Sequence, residues 1–469
     1  MINKNCLKLY GITDDKFNRP DTIAQMVEEA IIGGSTIIQF RSKALSSKEK
    51  ETCAKTVLNI TRKYKVPLII DDDVALAKKI DADGVHLGMS DMPVYEARAI
   101  LGGDKIIGAT AKTLDTALAA KAFGADYIGT GAAFPTKTKT DTYEISHDTI
   151  MDIAKNVDIP VVAIGGITAD NAHKLKGLGI NGIAVVSSLF SGNVRENAKL
   201  LRKEADEITR IKRVLSIAGS DCSGGAGIQA DMKTITAHGM YAMTAITSLT
   251  AQNTTGVYGV SDSDTDFLGN QIDCIFKDIR PDAVKIGMLS NKDIIETVAK
   301  KLTEYDAQNI VIDPVMISTS GHKLLLDDAI DKLVHTLLPL GTIITPNIPE
   351  TAAILEKPVE SHEDMIAASH KLFEMTKSAV LIKGGHSICD ADDLLYYNDT
   401  EYWFKKEKLD NSNTHGTGCT LSSAIACGLA DGMTIANSVK YAKEYVYGAI
   451  AYGFDIGNGS GPLYHMYKY

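Results

Sequence analysis

The sequence predicts two α/β domains of different fold in one chain, an N-terminal (β/α)8 barrel over residues 1–208 and a second α/β domain over residues 213–469. Three observations carry this. At about 150 residues per domain, 469 residues make two or three domains, and a single barrel can use more than 200. Eight short β-branched runs alternate with amphipathic helical patterns in the first two hundred residues. A charged, helix-forming stretch, Val194–Arg213, then precedes a region whose strand-like runs are spaced differently, so the halves are not copies of one another.

The eight runs are Leu7–Ile12, Thr36–Phe40, Leu68–Ile70, Gly84–Leu87, Lys105–Gly108, Tyr127–Gly129, Val161–Ile164 and Gly182–Val186. Between them lie stretches such as Thr22–Ile32, Lys48–Tyr64 and Thr116–Phe123, which place helices outside a parallel sheet. Eight units in this length give a compact barrel, with a doubly wound sheet as the alternative. The last barrel helix runs into a linker within Val194–Arg213. Further runs follow at Val214–Ala218, Tyr241–Leu249, Ala283–Ile286, Ile310–Ile312, Thr342–Ile344, Ala379–Ile382 and Asp393–Tyr397.

Composition narrows the function classes. With 45% hydrophobic residues the chain has ample apolar material for two cores, which excludes a disordered or collagen-like protein. A net charge of −10 argues against non-specific binding to nucleic acid or anionic membrane, so a phosphate ligand must be met by locally placed groups. Seven cysteines without a CxxC pair point to a reducing, cytoplasmic setting and no structural zinc. No run of about 18 apolar residues suggests a membrane span.

In a parallel barrel the chemistry lies where strands end. After the second strand, alternation puts Gln39, Arg41 and Lys43 on one side. The third and fourth strands are followed by Asp71-Asp72-Asp73 and by Asp91, and carboxylates from adjacent strand ends suit Mg²⁺. Thr110 follows the fifth strand, and Pro135-Thr136-Lys137-Thr138-Lys139 the sixth. Gly165-Gly166-Ile167-Thr168 and Val186-Ser187-Ser188 end the last two, where backbone N–H groups bind a monophosphate. One anion site thus has metal and cations, the other backbone and hydroxyls, which fits a pyrophosphate leaving group beside a phosphorylated acceptor. Taken alone, Arg41 and Lys43 would be a solvated loop and Asp71–Asp73 a helix start. His86, inside a strand, is read as structural.

The set Q-x-R-x-K, D-D-D-V, G-V-H-L-G-x-x-D, P-T-x-T-K-x-D and A-I-G-G-I-T resembles thiamine phosphate synthase over residues 1–205. The resemblance implies that Gln39, Arg41, Lys43, Asp71, Thr110 and Lys139 hold the aminopyrimidine diphosphate. It implies Asp72 and Asp91 for Mg²⁺, and Thr136, Thr138, Gly166, Val186 and Ser187 for the thiazole phosphate. Many relatives carry Asn where this chain has Asp71, a carboxylate that would either join the metal or repel pyrophosphate.

The second domain opens on Gly219-Ser220-Asp221-Cys222-Ser223-Gly224-Gly225-Ala226-Gly227, a glycine-rich turn that lacks the P-loop pattern. Downstream stands His415-Gly416-Thr417-Gly418-Cys419-Thr420, a helix start whose N–H groups form an anion hole for a phosphoryl group in transfer. The helix dipole is expected to lower the Cys419 thiol pKa and fit it as base for a substrate hydroxyl; the bland alternative is a small buried hydrophobe, the reading given to Cys427.

These two elements resemble the hydroxymethylpyrimidine and phosphomethylpyrimidine kinases of the ribokinase superfamily over residues 213–469, and the second domain is therefore expected to be ribokinase-like. Ala251-Gln252-Asn253-Thr254, Lys285-Ile286-Gly287-Met288, Asp313-Pro314-Val315-Met316, Thr345-Pro346-Asn347-Ile348-Pro349-Glu350 and Ile382-Lys383-Gly384-Gly385-His386 extend the match. The resemblance implies catalysis by Cys419 with Gly416, Thr417 and Gly418, and pyrimidine binding by Gln252 and Met288 with Asp231 nearby. It also implies Asn347 and Glu350 on the Mg²⁺ water shell and Lys383 on the ATP phosphates. Relatives commonly have Lys in the stretch after D-P-V-M, where this chain reads Ile317-Ser318-Thr319-Ser320-Gly321.

The expected function is bifunctional: MgATP-dependent phosphorylation of the hydroxymethylpyrimidine and then its monophosphate, followed by condensation of the diphosphate with thiazole phosphate. The alternatives are a catalytically silent half acting as a sensor, a phosphosugar isomerase or aldolase in the barrel, and a pyridoxal kinase-like second half. Expected partners are small molecules, with no nucleic acid and no membrane. Ribokinase-like domains often pair, but the sequence carries no interface signature for a homo-oligomer.

Overall fold

The computed structural model describes residues 2–136, 144–316, 325, 329–384 and 391–469. The chain forms two compact units, Met1–Arg210 and Ile211–Tyr469.

In the first unit eight parallel strands close into a barrel in chain order. They are β1 (Leu9–Ile12), β2 (Ile37–Phe40), β3 (Leu68–Asp71), β4 (Gly84–Leu87), β5 (Ile106–Thr110), β6 (Tyr127–Thr130), β7 (Val161–Ile164) and β8 (Gly182–Val185). Strand alternation sorts the side chains. Tyr10, Ile12, Ile37, Ile69, Tyr127, Val162 and Ala184 fill the interior. Ile38, Phe40, Leu68 and Ile70 instead pack with Cys53, Ala54, Val57 and Leu58 of the helix Ser47–Tyr64. Gln39 therefore shares the inward parity of Ile37. Ser46 and Glu49 start that helix as a reciprocal capping box. Between β7 and β8 the expected helix is reduced to a 3-10 turn, Ala172–Leu175.

The second unit is a nine-stranded sheet of order β11-β10-β9-β12-β13-β14-β15-β16-β17. Its strands are β9 (Arg213–Asp221), β10 (Tyr241–Asn253), β11 (Gly256–Asp262), β12 (Ala283–Ile286), β13 (Ile310–Ile312), β14 (Ile343–Ile344), β15 (Ala379–Ile382), β16 (Asp393–Tyr397) and β17 (Thr400–Phe404). From β10 to β15 neighbouring strands are parallel, whereas β11, β16 and β17 pair antiparallel at the two edges. The parallel strands are buried on both faces: Leu215, Ile217, Val284, Ile286 and Ile312 look into one core, and Val214, Ala283, Val311 and Ile343 into the other.

The strand reading of the sequence lacked β11 and β17. β11 is exposed along most of its length, so no buried face imposes an apolar alternation on it. β17 follows a two-residue turn, Asn398–Asp399, with both residues at positive φ (52° and 55°), a signal the polar sequence did carry.

The helix Thr417–Ala430 is the central support of the second site. Every residue from Thr420 to Ala430 is buried, and Ser422, Ser423, Ala424 and Ala426 are small enough to let it lie close against the sheet.

Candidate active sites

At the C-terminal mouth of the barrel, Gln39, Arg41, Lys43, Asp71, Asp72 and Asp91 gather. The three consecutive aspartates have three different jobs. Asp71 ends β3, with Oδ2 3.4 Å from Arg41 Nε and 3.4 Å from Lys43 Nζ. Asp72 takes a left-handed backbone, φ 59°, and pairs with Lys43. Asp73 caps the next helix, accepting from Leu76 N at 2.9 Å.

Two carboxylates absent from the sequence reading complete the mouth. Asp14 pairs with Arg41, while Asp15 accepts from Ser42 Oγ and from Lys43 and Ala44 N at 2.6 and 2.8 Å. Both follow β1, and a strand-end search extended to the first strand would have found them. Arg41 thus faces Asp14 and Asp71 while its own backbone is held by Thr13 Oγ1 at 2.9 Å.

Gln39 is 3% exposed, and its Nε2 has no hydrogen-bond partner. A buried amide donor left open at a strand end can receive an acceptor. Thr110 bonds His86 Nε2 at 3.0 Å, His86 Nδ1 meets Tyr127 Oη at 3.0 Å, and Tyr127 meets Tyr10 at 2.8 Å. His86 is structural in the sense that it carries this chain from the core to the site.

Burial, and then the hydrogen bond it shares with Asp72, raise the Asp91 carboxyl above its ordinary range. Two carboxyls that share a proton in this way are a donor set suited to a hard divalent cation. No cluster of three or more candidate metal ligands occurs among the described residues, so substrate oxygens would have to complete the shell.

Where β7 and β8 end, Gly166 has φ 66° and its carbonyl accepts from Asn171 Nδ2 at 2.9 Å. Val186 caps the single helical turn Ser187–Phe190, Ser187 is exposed, and Thr136 is half-buried. Thr138 and Lys139 lie outside the described residues, as do Thr319 and the loop around it.

In the second unit two helix N-termini converge on Cys419. The helix Thr417–Ala430 starts at Gly416, φ 84°, and the helix Gly227–Ala237 starts beside it, its Gly227 N–H donating to the Cys419 sulfur. Gly418 faces Asp313 and Lys383, since a Cβ placed on it would lie 3.3 and 3.4 Å from their polar ends. Lys383 Nζ is 2.6 Å from Asp313 Oδ1 and 4.0 Å from Glu350, so this lysine is an ion-paired cation beside Gly418 rather than a surface charge. Asn347 and Glu350 form a capping box, with Glu350 Oε2 accepting from Asn347 N at 2.8 Å. Burial pushes the Glu350 carboxyl up to about 7, against the pull of Lys383 and with the push of Asp313. A buried acid next to a paired lysine suits the water shell of a cation.

The pyrimidine reading centres on Gln252, Met288 and Asp231. Gln252 lies on β10 and Met288 follows β12, with Met288 Sδ packed over Gly219 and its carbonyl accepting from Thr247 Oγ1 at 2.9 Å. The sulfur of Cys222 brackets the Gln252 peptide, 3.1 Å from its O and 3.3 Å from its N.

Two expectations are corrected here. Asp231 does not face a ligand: it is fully buried, ion-paired to the equally buried Lys285 at 2.8 Å, and accepts from Ser216 and Ser423 at 2.6 and 2.8 Å. Its work is to tie β9, β12 and the Thr417–Ala430 helix together. Nor is the Cys419 thiol pKa lowered: burial pushes it up to about 11, with Asp231 and Asp313 adding to the rise and Lys285 and the Gly227 N–H opposing it. The helix dipole is a surface-scale effect, and desolvation together with two carboxylates outweighs it.

Sequence reasoning also passed over Asp221 and His415. Burial alone would raise Asp221, yet His415, the Ser223 hydroxyl and the N–H groups of Ser223 and Ala226 hold its carboxyl well below the usual carboxylate range. His415 Nε2 lies 2.9 Å from it. The strand-end aspartate and the histidine before G-T-G-C were both visible as motif letters, but their contact spans 194 residues.

No helix among the described residues is long and apolar enough to cross a membrane. A family model described as thiamine monophosphate synthase matches residues 9–189, and one described as phosphomethylpyrimidine kinase matches residues 221–464. The thiamine biosynthesis bifunctional protein ThiED of Geobacter sulfurreducens is 38% identical over 464 residues, covering 98% of this chain and 94% of that protein. The hydroxymethylpyrimidine/phosphomethylpyrimidine kinase of Escherichia coli is 43% identical over 265 residues, 55% of this chain and all of that one. Among solved structures, an ADP complex of Bacillus subtilis pyridoxal kinase matches with a TM-score of 0.51 and 37% identity, over 54% of this chain and 97% of that chain.

Proposed function

The chain belongs to the family of bifunctional thiamine biosynthesis proteins, transferases that join a thiamine phosphate synthase to a phosphomethylpyrimidine kinase, and from that premise we propose how its residues divide the work. The second unit phosphorylates 4-amino-5-hydroxymethyl-2-methylpyrimidine and then its monophosphate with ATP. The barrel joins the diphosphate to thiazole phosphate and releases pyrophosphate. What supports the reading is that candidate residues for both reactions lie in one chain: the Gln39 amide nitrogen without a hydrogen-bond partner, beside Arg41, Lys43 and the Asp72–Asp91 pair, and Cys419 at a helix start beside Gly227.

In the kinase, Gln252 and Met288 hold the ring, and the N–H groups of Thr417, Gly418 and Cys419 face the phosphoryl group in transfer, where donors aimed at developing charge do most for the rate. Cys419 takes the proton of the substrate hydroxyl. The thiol rests at about 11 in the free chain, so its proton must first leave to solvent before the thiolate takes that of the substrate hydroxyl. Lys383 steadies the ATP phosphates, and Asn347 and Glu350 hold the water shell of Mg²⁺. In the barrel, Gln39 orients the aminopyrimidine, Arg41, Lys43 and Lys139 neutralise the diphosphate, and Asp72 and Asp91 hold Mg²⁺. The metal, when bound, stabilises charge on the departing pyrophosphate. The thiazole phosphate rests on Thr136, Thr138, Gly166, Val186 and Ser187. Asp71, by facing Arg41 and Lys43, tempers their charge rather than adding a diphosphate contact.

A cytoplasmic setting suits the six free cysteines of the described residues. The test is a one-pot assay with hydroxymethylpyrimidine, thiazole phosphate and MgATP, read as thiamine phosphate by mass spectrometry, beside a tube given the diphosphate without ATP. Product in both tubes is expected. Product from the diphosphate alone would remove the kinase assignment, and product in neither would remove both. Pyridoxal belongs in the kinase assay as a competing substrate, because the B. subtilis match is to a pyridoxal kinase.

A further inference from the structure

The kinase pocket carries a hydrogen-bond chain that the catalytic assignment leaves unused, and it ends on the residue read as the pyrimidine contact. The argument rests on that reading of Gln252. The Asp221 carboxylate accepts from Ser223 N and Oγ at one oxygen, and from Gly225 N, Ala226 N and His415 Nε2 at the other. An ionised carboxylate has no proton to give, so His415 Nε2 must carry one and direct it there. His415 Nε2 also lies 3.2 Å from one end of the Gln252 carboxamide, whose other end lies 3.2 Å from Thr250 Oγ1. The Thr250 hydroxyl in turn lies 2.9 Å from the Ser220 carbonyl, which claims its only proton.

Matching donors to acceptors favours one arrangement. With the amide nitrogen toward His415, two N–H donors oppose each other, and the Thr250 proton is asked to serve two acceptors. A half-turn of the carboxamide removes the opposed donors and leaves the Thr250 proton to Ser220: Nε2 donates to Thr250 Oγ1, and Oε1 shares the single His415 Nε2–H with Asp221 Oδ2 in a three-centre hydrogen bond. We propose that Asp221 and His415 are positioning residues that lock the Gln252 carboxamide with its oxygen on His415 and its nitrogen on Thr250, and so make the pocket select a 4-amino over a 4-oxo pyrimidine.

The selectivity follows from what the lock leaves free. Gln252 keeps one lone pair on Oε1 and one N–H on Nε2, in a fixed left-to-right order. The 4-aminopyrimidine edge presents an N–H donor and a ring-nitrogen acceptor that match this order. The 4-oxo lactam edge presents a carbonyl acceptor and a ring N–H donor in the reverse order. A freely turning glutamine reads both edges, whereas a locked one reads only the first. His415 and Asp221 touch neither the ring nor the transferred phosphoryl group in this assignment, and act through Gln252.

The test compares kinase kcat/KM for hydroxymethylpyrimidine and for its 4-oxo analogue in the full chain. The unmodified protein is expected to favour the amino substrate by about 100-fold or more, as sites built to hydrogen-bond a substrate group do. His415→Leu removes the N–H, and the preference should fall about tenfold, mainly through a higher KM for the amino substrate and a lower one for the oxo analogue. His415→Gln restores an N–H near the Nε2 position and should keep the preference within about threefold of the parent. Thr250→Val releases the other end of the carboxamide, should lower the preference in the same way, and serves if His415→Leu does not fold. A ¹⁵N NMR shift of His415 Nε2 typical of a protonated nitrogen at neutral pH is the readout independent of activity. The proposal is overturned if folded His415→Leu or Thr250→Val keeps the parental preference, if His415→Gln loses it as His415→Leu does, or if Nε2 is unprotonated. Failure of the unmodified chain to phosphorylate hydroxymethylpyrimidine would instead overturn the kinase reading, and Gln252→Leu with unchanged KM would overturn the placement of the ring; the lock falls with either.

Discussion

Replacing Gly416 by alanine tests whether the anion hole depends on the close seating of its first glycine. Gly416 has φ 84°, and a Cβ there would lie 2.0 Å from the Gly225 carbonyl oxygen and 3.3 Å from Ala226 Cα. Gly432, just beyond the other end of the same helix, has nearly the same backbone, φ 85°, with nothing within 4 Å of its Cβ position. The pair separates backbone strain from contact. Gly432→Ala carries only the left-handed penalty, about 1–2 kcal/mol. Gly416→Ala carries that penalty and must also push two backbone segments apart by more than about 1 Å, adding roughly 1–3 kcal/mol as overpacking does. At about 2–4 °C per kcal/mol for a domain of this size, kinase activity should be lost on heating some 4–20 °C earlier in Gly416→Ala, and only about 2–8 °C earlier in Gly432→Ala. The chemical step separates the variants further. A displacement of about 1 Å in donors aimed at the phosphoryl group costs on the order of 100-fold in turnover, whereas Gly432→Ala should turn over as the parent does. Thiamine phosphate formation from supplied diphosphate, measured on the same sample, is the internal reference and should be unchanged in both. Equal thermal losses in the two variants, or a Gly416→Ala kcat within threefold of the parent, would refute the seating argument.

Cys419→Ser should lower kinase turnover about 100-fold or more while leaving the KM for ATP near its parental value, as loss of a general base does; unchanged turnover would remove Cys419 as the base. In the free chain, peptide mapping should find its alkylation by iodoacetamide still accelerating beyond pH 9, because the thiol is pushed up to about 11, and a plateau below pH 9 would contradict the desolvation argument. Asp71→Asn frees Arg41 and Lys43 from a carboxylate 3.4 Å away from each, so the synthase KM for the diphosphate should fall about three- to tenfold; a collapse of turnover would show instead that Asp71 is a metal ligand. His465 is buried against Thr420, and burial first, then Lys233 and His238, lower its pKa from 6.5 to about 4. A depressed histidine favours the neutral form in the folded state, so its contribution is present above pH 6.5 and is lost as the pH falls toward 4. It amounts to on the order of 3 kcal/mol, and urea midpoints should show a shallower acid slope in His465→Gln than in the parent.

What was legible in the sequence, and what was not, follows the range of the interactions involved. The period-2 alternation that buries Ile37 and Ile69 also aims Gln39 at the barrel mouth, so one local rule delivered the core and a candidate site residue. The aspartate run was legible only in part: a capping residue, a left-handed residue and a strand-end residue look identical as letters, and the turn that assigns Asp73 to the helix and Asp72 to Lys43 is a property of the backbone. Asp14 and Asp15 escaped notice because their partners lie 27 to 29 residues away, on the next strand end. The thiol of Cys419 shows the limit most sharply. Its own helix supplies a dipole that sequence reasoning can see, but burial, with Asp231 and Asp313 brought in from other elements, raises the thiol against the opposing Lys285.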